Sequence, residues 1–318
     1  RVGNAYVGGY FTRQADFGNG VVTTEGRDSG FVMRLSTGGE IGWVYRFESD
    51  EAGSADRNAV NDLVVTPSGN VYFAGTFAGD ANFDLRGAGY ELEAEGKTDA
   101  YLAYINRKGR FGWALATGGD ESDGNSAIAA DAAGNIYTAG YFAGEVDVNP
   151  RPDVTTLLQA QSDNNRDERT DLLISRFAAD GRPIWQAQMG GEDYEVIADL
   201  QVDDSDGSIY TLGSFYGEAD FAPGKGIAVL NSAESNDGSI RDRNSRSRRD
   251  ETYDWFLSRL SPRGKHVSVS RIGGADDDFA SGLTISGPRQ ILLAGRTVAA
   301  RGERDERHEQ SLVQLLNL

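Results

Sequence analysis

The sequence predicts an all-β propeller, with five four-stranded antiparallel blades of which the first and last are incomplete. Three observations predict it. One unit recurs five times along the 318 residues, at roughly 1–58, 59–125, 126–195, 196–279 and 280–318, which makes a single repeat domain. Each full unit holds four short strand-like runs and no helical period. Forty-one glycines against seven prolines punctuate those runs with tight turns.

The unit opens on a Gly-Asn-x-Tyr run: Gly3-Asn4-Ala5-Tyr6, Gly69-Asn70-Val71-Tyr72 and Gly134-Asn135-Ile136-Tyr137. It degenerates to Gly207-Ser208-Ile209-Tyr210 and then to Arg289-Gln290-Ile291-Leu292. This is strand b, and each copy reaches a further glycine, Gly9, Gly75, Gly140, Gly213 or Gly295. Four copies continue with an aromatic and an acidic-apolar step, FTRQADF, FAGDANF, FAGEVDV and FYGEADF. Strand c follows as an apolar run, from FVMRL and AYLAYI to SLVQLL. A glycine turn leads to strand d, marked by Trp43, Trp113 and Trp185, with Ser268 in the fourth copy. A Gly-Gly pair with acids closes the unit (GGDESD, GGEDYE, GGADDD), and strand a of the next copy begins. The a–b and c–d connections are as short as antiparallel hairpins require. Repeated four-stranded antiparallel units protect their edges by closing radially, and a β-sandwich array would need a Greek-key crossover that the uniform repeat lacks.

The same residues resemble the SBBP family, the bacterial seven-bladed β-propeller repeat, over essentially the whole chain and best over 59–221. The resemblance implies a propeller in an extracellular, periplasmic or cell-surface bacterial setting, and it implies no catalytic residues. The chain departs from it in having five copies rather than seven, the fifth without its Gly-Asn and Asp-Phe. The chain opens at strand b and closes at strand c, so eighteen strands are expected. One further d–a segment would complete a five-bladed ring.

Composition excludes several function classes. With 49 acidic against 31 basic residues the net charge is −18, which disfavours nucleic acid and anionic membrane surfaces. Cysteine is absent and histidine occurs twice, at His266 and His308, which removes disulfides, thiolate chemistry and Cys/His zinc sites. No apolar run is long enough to insert in a membrane.

Repeat length grows in one place. Position Asn4 to Asn70 spans 66 residues, Asn70 to Asn135 65, Asn135 to Ser208 73, and Ser208 to Gln290 82. The growth lies between strands b and c, on the same end of each blade as the acidic Gly-Gly segments. Variable insertions on one face point to a binding face.

Four sets of candidate residues sit on this frame. The acidic segments offer Asp120, Asp123, Asp193, Asp276 and Asp278, with Asp147 and Asp220 (and Asp16 and Asn149) from the b–c side. Clustered carboxylates suit Ca2+, which takes six to eight oxygens; the competing reading is that they cap backbone amides at turns. Trp43, Trp113 and Trp185 either stack on sugars or pack between blades, and fixed scaffold positions favour packing. Trp255 follows the longest connection and is expected to be partly exposed, as a partner-binding residue. That connection carries Arg241, Arg243, Arg246, Arg248 and Arg249, a basic run in an acidic protein, read as a solvated loop or an assembly contact. Asp62 and Asp199 share a register of strand a where a core residue is expected, and they are the acids a carboxylate-dependent glycosidase would use.

The function expected from these features is a non-catalytic extracellular or cell-surface propeller that scaffolds or binds a protein or glycan partner through its acidic, loop-rich face. A glycosidase-like propeller and a structural subunit of a larger bacterial assembly are the alternatives.

Overall fold

The computed structural model describes residues 3–18, 20–49, 58–149, 154–161, 170–234, 252–287, 290–298 and 309–317. Every regular element in them is a β-strand. The first copy gives β1 (Ala5–Asp16), β2 (Val21–Leu35) and β3 (Ile41–Ser49); the second gives β4 (Ala59–Val65), β5 (Val71–Phe77), β6 (Asp80–Asn82), β7 (Glu91–Glu93), β8 (Asp99–Ile105) and β9 (Phe111–Thr117). The third gives β10 (Gly124–Ala130), β11 (Ile136–Phe142), β12 (Glu145–Asp147), β13 (Leu157–Gln159), β14 (Asp171–Phe177) and β15 (Pro183–Gly191). The fourth gives β16 (Glu195–Val202), β17 (Ile209–Phe215), β18 (Glu218–Asp220), β19 (Val229–Asn231), β20 (Asp254–Leu260) and β21 (His266–Ile272). The fifth gives β22 (Asp277–Gly287), β23 (Gln290–Val298) and β24 (Glu309–Asn317).

The chain divides into two compact units, Arg1–Gln159 with Ser175–Ile184, and Ala160–Ile174 with Trp185–Leu318. In the first, the antiparallel sheets run β1-β2-β3-β6-β7 and β4-β5-β8-β9. In the second they run β16-β17-β20-β21 and β22-β23-β24, and β15 pairs with β18. The strands called a, b, c and d from sequence are therefore neighbours in that order in the second and fourth copies. Six three-residue strands form three hairpins, β6–β7, β12–β13 and β18–β19, that the sequence did not announce.

In the second and fourth copies strands b and c are central and lose the period-2 alternation of a half-exposed strand. VYFAGTF of β5 and DAYLAYI of β8 are buried on both faces over almost their whole length, as are IYTLGSF and DWFLSRL in the other unit. The glycine in strand b answers a backbone contact. Strand a carries a β-bulge between Val60 and Asp62, Asn125 and Ala127, Ile197 and Asp199, and Ala280 and Gly282. Each bulge turns a carbonyl toward strand b. A Cβ on Gly75 or Gly140 would sit 2.0 Å from the Ala59 or Gly124 oxygen, on Gly213 2.1 Å from that of Val196, and on Gly295 2.4 Å from that of Phe279. Only glycine fits there.

Strand d packs as expected of a scaffold position. The Trp43 indole donates to the Arg107 carbonyl at 3.3 Å and lies on Gly109 of the next copy's c–d turn. Trp185 repeats this with the Pro262 carbonyl, at 3.1 Å, and Gly264. A Cβ on either glycine would come within 2.8 Å of the ring, so the turn glycine is set by its neighbour's tryptophan.

The acidic-apolar step after strand b builds the hairpins into the core. Phe83, just past β6, stacks on Phe47 with centroids 4.4 Å apart and lies edge-on to Phe77 and Tyr101. Phe221 does the same beside Phe215 and Phe256, at 5.5 and 4.6 Å. All of these rings are buried. Phe83→Ala and Phe221→Ala are each expected to lower unfolding free energy in urea by about 3–5 kcal/mol, the usual loss for a buried phenylalanine; a loss under about 1 kcal/mol would show the hairpins to be surface decoration.

Candidate functional site at the roots of the b–c connections

The connection between strands b and c is built in two parts. The first is the hairpin, closed by one side-chain oxygen that accepts two backbone N–H groups. Asn82 Oδ1 takes Asp84 N and Tyr90 N at 2.9 and 3.2 Å; Asp147 Oδ1 takes Asn149 N and Thr156 N at 3.0 and 2.9 Å; Asp220 Oδ1 takes Ala222 N and Ala228 N at 2.9 and 2.8 Å. Asp16 Oδ1 takes Gly18 N and Gly20 N at 2.7 and 3.2 Å. An asparagine serves in one copy, so the position needs an acceptor and not a charge. The hairpin also extends the sheet of the preceding copy, through Glu48↔Asn82 and Ser49↔Ala81, and through Gly190↔Asp220 and Gly191↔Ala219.

The second part carries the variation. From the hairpin to strand c the chain runs 94–98, then 160–170, then 232–253. Its two ends are pinned alike in all three. The first residue of strand c is an aspartate whose Oδ2 accepts the N–H two residues past the hairpin: Asp99 from Glu95 at 3.3 Å, Asp171 from Gln161 at 3.1 Å, Asp254 from Ala233 at 2.7 Å. Gln188 adds a bond to Asp171 at 2.6 Å and Arg271 one to Asp254 at 2.9 Å. These aspartates are at most 2 % exposed. Among the described residues their other oxygen, Oδ1, has no hydrogen-bond partner, and the carboxylate is turned against the first glycine of the Gly-Gly pair. A Cβ on Gly118, Gly190 or Gly273 would fall 2.1–2.8 Å from its nearest atom. The second glycine makes room for the hairpin: a Cβ on Gly119 would lie 2.0 Å from the Glu145 oxygen, and one on Gly191 2.0 Å from that of Glu218. The first copy is the internal control. There Ser29 begins the pairing with β3 and bonds the Phe47 carbonyl at 2.9 Å, and Glu48-Ser49 replace the glycines. Without the aspartate, a Cβ is accommodated.

The acid that closes each repeat unit completes the root. Asp123 Oδ1 accepts from Ala143 N at 3.0 Å and Oδ2 from Gly119 N at 2.8 Å. Asp278 Oδ2 accepts from Gly274 N at 3.0 Å and Oδ1 from the Thr297 hydroxyl at 2.5 Å. Asn58 holds this place in the second copy and accepts from Ala78 N at 3.2 Å. Buried carboxyls thus face each other across the Gly-Gly backbone. Burial pushes Asp99 and Asp171 up to about 6 and Asp123 up to about 7, the last also through the charges of Asp99 and Glu121. Asp254 is raised as well, first by burial.

The structure separates the sequence-predicted residues. Asp123 and Asp278 are buried backbone acceptors, Asp147 and Asp220 close hairpins, and Asp120, Asp193 and Asp276 lie on the more open part of the Gly-Gly segments. No three His, Cys, Asp or Glu side chains among the described residues group as a metal ion would need. Asp62 and Asp199 serve the bulges. Asp62 accepts its own neighbour Leu63 N at 2.7 Å and Ile128 N of the next copy at 2.9 Å; Asp199 accepts Leu200 N at 2.7 Å and Leu283 N at 2.8 Å. One acid serves two bulges, its own and that of the copy after it, and Ala127 and Gly282 hold the register in those following copies. Trp255 is fully buried, against the expectation of exposure, because its indole fills the space over Gly295 that a Cβ would occupy at 2.1 Å. Arg241, Arg243, Arg246, Arg248 and Arg249 lie outside the described residues. The residues that sequence reasoning passed over are Asp99, Asp171 and Asp254; their signal was an aspartate opening three of the apolar c runs.

No family model matches the chain, and no curated protein matches it. Among solved structures it is similar to a puromycin hydrolase variant in complex with PGG, with 15% sequence identity and a TM-score of 0.30 over 96% of this chain. The chain spans 43% of that hydrolase's length.

The raised carboxyls set a pH dependence. A carboxyl whose folded pKa exceeds its unfolded value binds more protons in the native state, so stability is full below about pH 4 and is lost as pH rises through 6 to 7. Melting temperature is expected to fall by at least about 4 °C between pH 5 and pH 8, each pKa unit being worth about 1.4 kcal/mol and each kcal/mol about 2 °C. Asp123→Asn, which copies Asn58, is expected to flatten that slope. A slope of the opposite sign, or one untouched by the substitution, would contradict the assignment.

Proposed function

We propose that this chain is a five-bladed β-propeller without catalytic activity, extracellular or on a bacterial cell surface, that holds a protein or glycan partner on the face formed by its b–c connections. One observation carries the reading: three connections of different length leave the sheets from the same aspartate-pinned root. A root that fixes both ends independently of what lies between them frees the intervening residues for recognition, as loops on a rigid scaffold do. The acids that a glycosidase would have needed, Asp62 and Asp199, accept backbone N–H groups with both oxygens. The opposite ends of the strands carry short turns such as Asn106-Arg107-Lys108-Gly109, closed by Gly109 N to Asn106 O at 2.8 Å, and offer little variable surface.

The test is a glycan array probed with the full chain and with a variant lacking 238–250, run beside a chromogenic glycoside screen. Binding is expected to weaken at least about tenfold in the deletion, or about 1.4 kcal/mol, with the melting temperature within about 2 °C and no glycoside cleaved by either protein. Cleavage abolished by Asp62→Asn or Asp199→Asn would replace this reading with the glycosidase. Binding that survives the deletion unchanged would remove the longest connection from the partner surface.

A further inference from the structure

A residue that the scaffold needs recurs at its position, and a residue found in one copy alone has another reason. At three positions around the root of the fourth b–c connection, aromatic side chains stand where other copies have smaller ones. The residue after strand b is Ala78 and Ala143 in the second and third copies and Tyr216 in the fourth. The residue before the strand-c aspartate is Thr98 and Thr170, then Tyr253. The strand-a residue whose carbonyl faces the strand-b glycine is Ala59, Gly124 and Val196, then Phe279. The three rings meet: the centroids of Tyr216 and Tyr253 lie 5.5 Å apart, and those of Tyr253 and Phe279 5.2 Å. Each is half-buried, and Tyr194, whose carbonyl accepts the Tyr216 N–H at 3.0 Å, is 37 % exposed. Other copies make the bulge and the aspartate pin without these rings, so the row is one that the fold does not require.

The charges around the row select its ligand. The Arg296 guanidinium sits 5.1 Å from the Phe279 centroid, so the end ring already takes a cation on its face. Asp277 Oδ1 accepts the Tyr253 N–H at 3.2 Å. The Tyr253 hydroxyl is pushed up first by burial, then by Tyr194 and by the carboxylates of Asp277, Glu195 and Asp193. Three carboxylates therefore act on the middle ring. We propose that Tyr216, Tyr253 and Asp277 form a site for an arginine side chain of a partner polypeptide, its guanidinium stacked on the rings and paired with the carboxylate. A planar guanidinium makes both contacts at once. A quaternary ammonium has no N–H to donate to a carboxylate, and a neutral sugar leaves the carboxylate charge unanswered. The site lies on the partner face proposed above and rests on that reading, but it is built from root residues and not from the variable stretch.

The probe is a fluorescent peptide, Gly-Ser-Arg-Ala-Arg-Ser-Gly, titrated by anisotropy against the full chain beside the same peptide with citrulline in place of both arginines. Citrulline keeps the shape and removes the charge. The arginine peptide is expected to bind saturably, and the citrulline peptide at least about tenfold more weakly. A chain of net charge −18 attracts any basic peptide, so the deciding variants leave every charge in place. They are Tyr253→Thr, which copies Thr98 and Thr170, and Tyr216→Ala, which copies Ala78 and Ala143. Each is expected to bind the arginine peptide at least about tenfold more weakly, with a melting temperature within about 4 °C of the parent. A chain lacking 238–250 keeps the row and is expected to bind as the parent does. Equal binding by the parent and Tyr253→Thr overturns the inference, and so does equal binding of the two peptides. Binding lost in the deletion and kept in Tyr253→Thr would move the contact to the longest connection, which overturns this site and leaves the partner face standing. Glycan binding lost in Tyr253→Thr, with no binding of the arginine peptide, would assign the row to a sugar instead.

Discussion

A buried aspartate at the head of strand c constrains more of this chain than any other group. Its carboxylate must accept an N–H from the start of the b–c connection, and it must do so in a space from which water is largely excluded. The neighbouring strand d can approach it only with glycine at Gly118, Gly190 and Gly273. The glycine that follows lets the next hairpin lie against strand d. One ionisable group thereby fixes the Gly-Gly pair, the docking of the hairpin and both ends of the variable connection. The cost is electrostatic. A carboxyl held out of water resists ionisation, and the chain carries such an aspartate three times, at Asp99, Asp171 and Asp254, while its net charge is already −18.

The bulges of strand a form a second, independent system. Each closes a strand edge by turning a carbonyl toward a glycine, and a shared aspartate satisfies the N–H groups of two successive bulges. The alternation Asp62, Ala127, Asp199, Gly282 is a hydrogen-bonding pattern spread over neighbouring copies. Read along one strand it looks like an isolated acid in an apolar register, which is how a catalytic carboxylate looks in sequence.

Much of the architecture was legible in the residues. The four strand runs, their order, the tight a–b and c–d turns and the packing role of Trp43 and Trp185 all followed from repetition, because a feature recurring at a scaffold position has a scaffold reason. The hairpins were not legible: β6, β12 and β18 are three residues long, and their pairing with the preceding sheet is non-local. The acids were legible as a pattern and not as chemistry. Sequence spacing cannot tell a carboxylate that collects backbone N–H groups from one that is solvated, and the decisive comparison is structural. Ser29 with Glu48-Ser49, set against Asp99 with Gly118-Gly119, ties the glycines to the aspartate within a single chain. Trp255 misled because its neighbours in the chain suggested a surface loop, while its strand position put it over Gly295.

The most direct measurement of the aspartate's role is residue-resolved amide hydrogen exchange on the full chain and on Asp171→Ser, which gives the third copy the residue that the first copy has. The account predicts that the Gln161 amide, bonded to Asp171 at 3.1 Å, loses at least about tenfold of its protection, or about 1.4 kcal/mol, while amides of β16 and β17 keep theirs. Unchanged protection at Gln161, or an equal loss throughout β16 and β17, would contradict it.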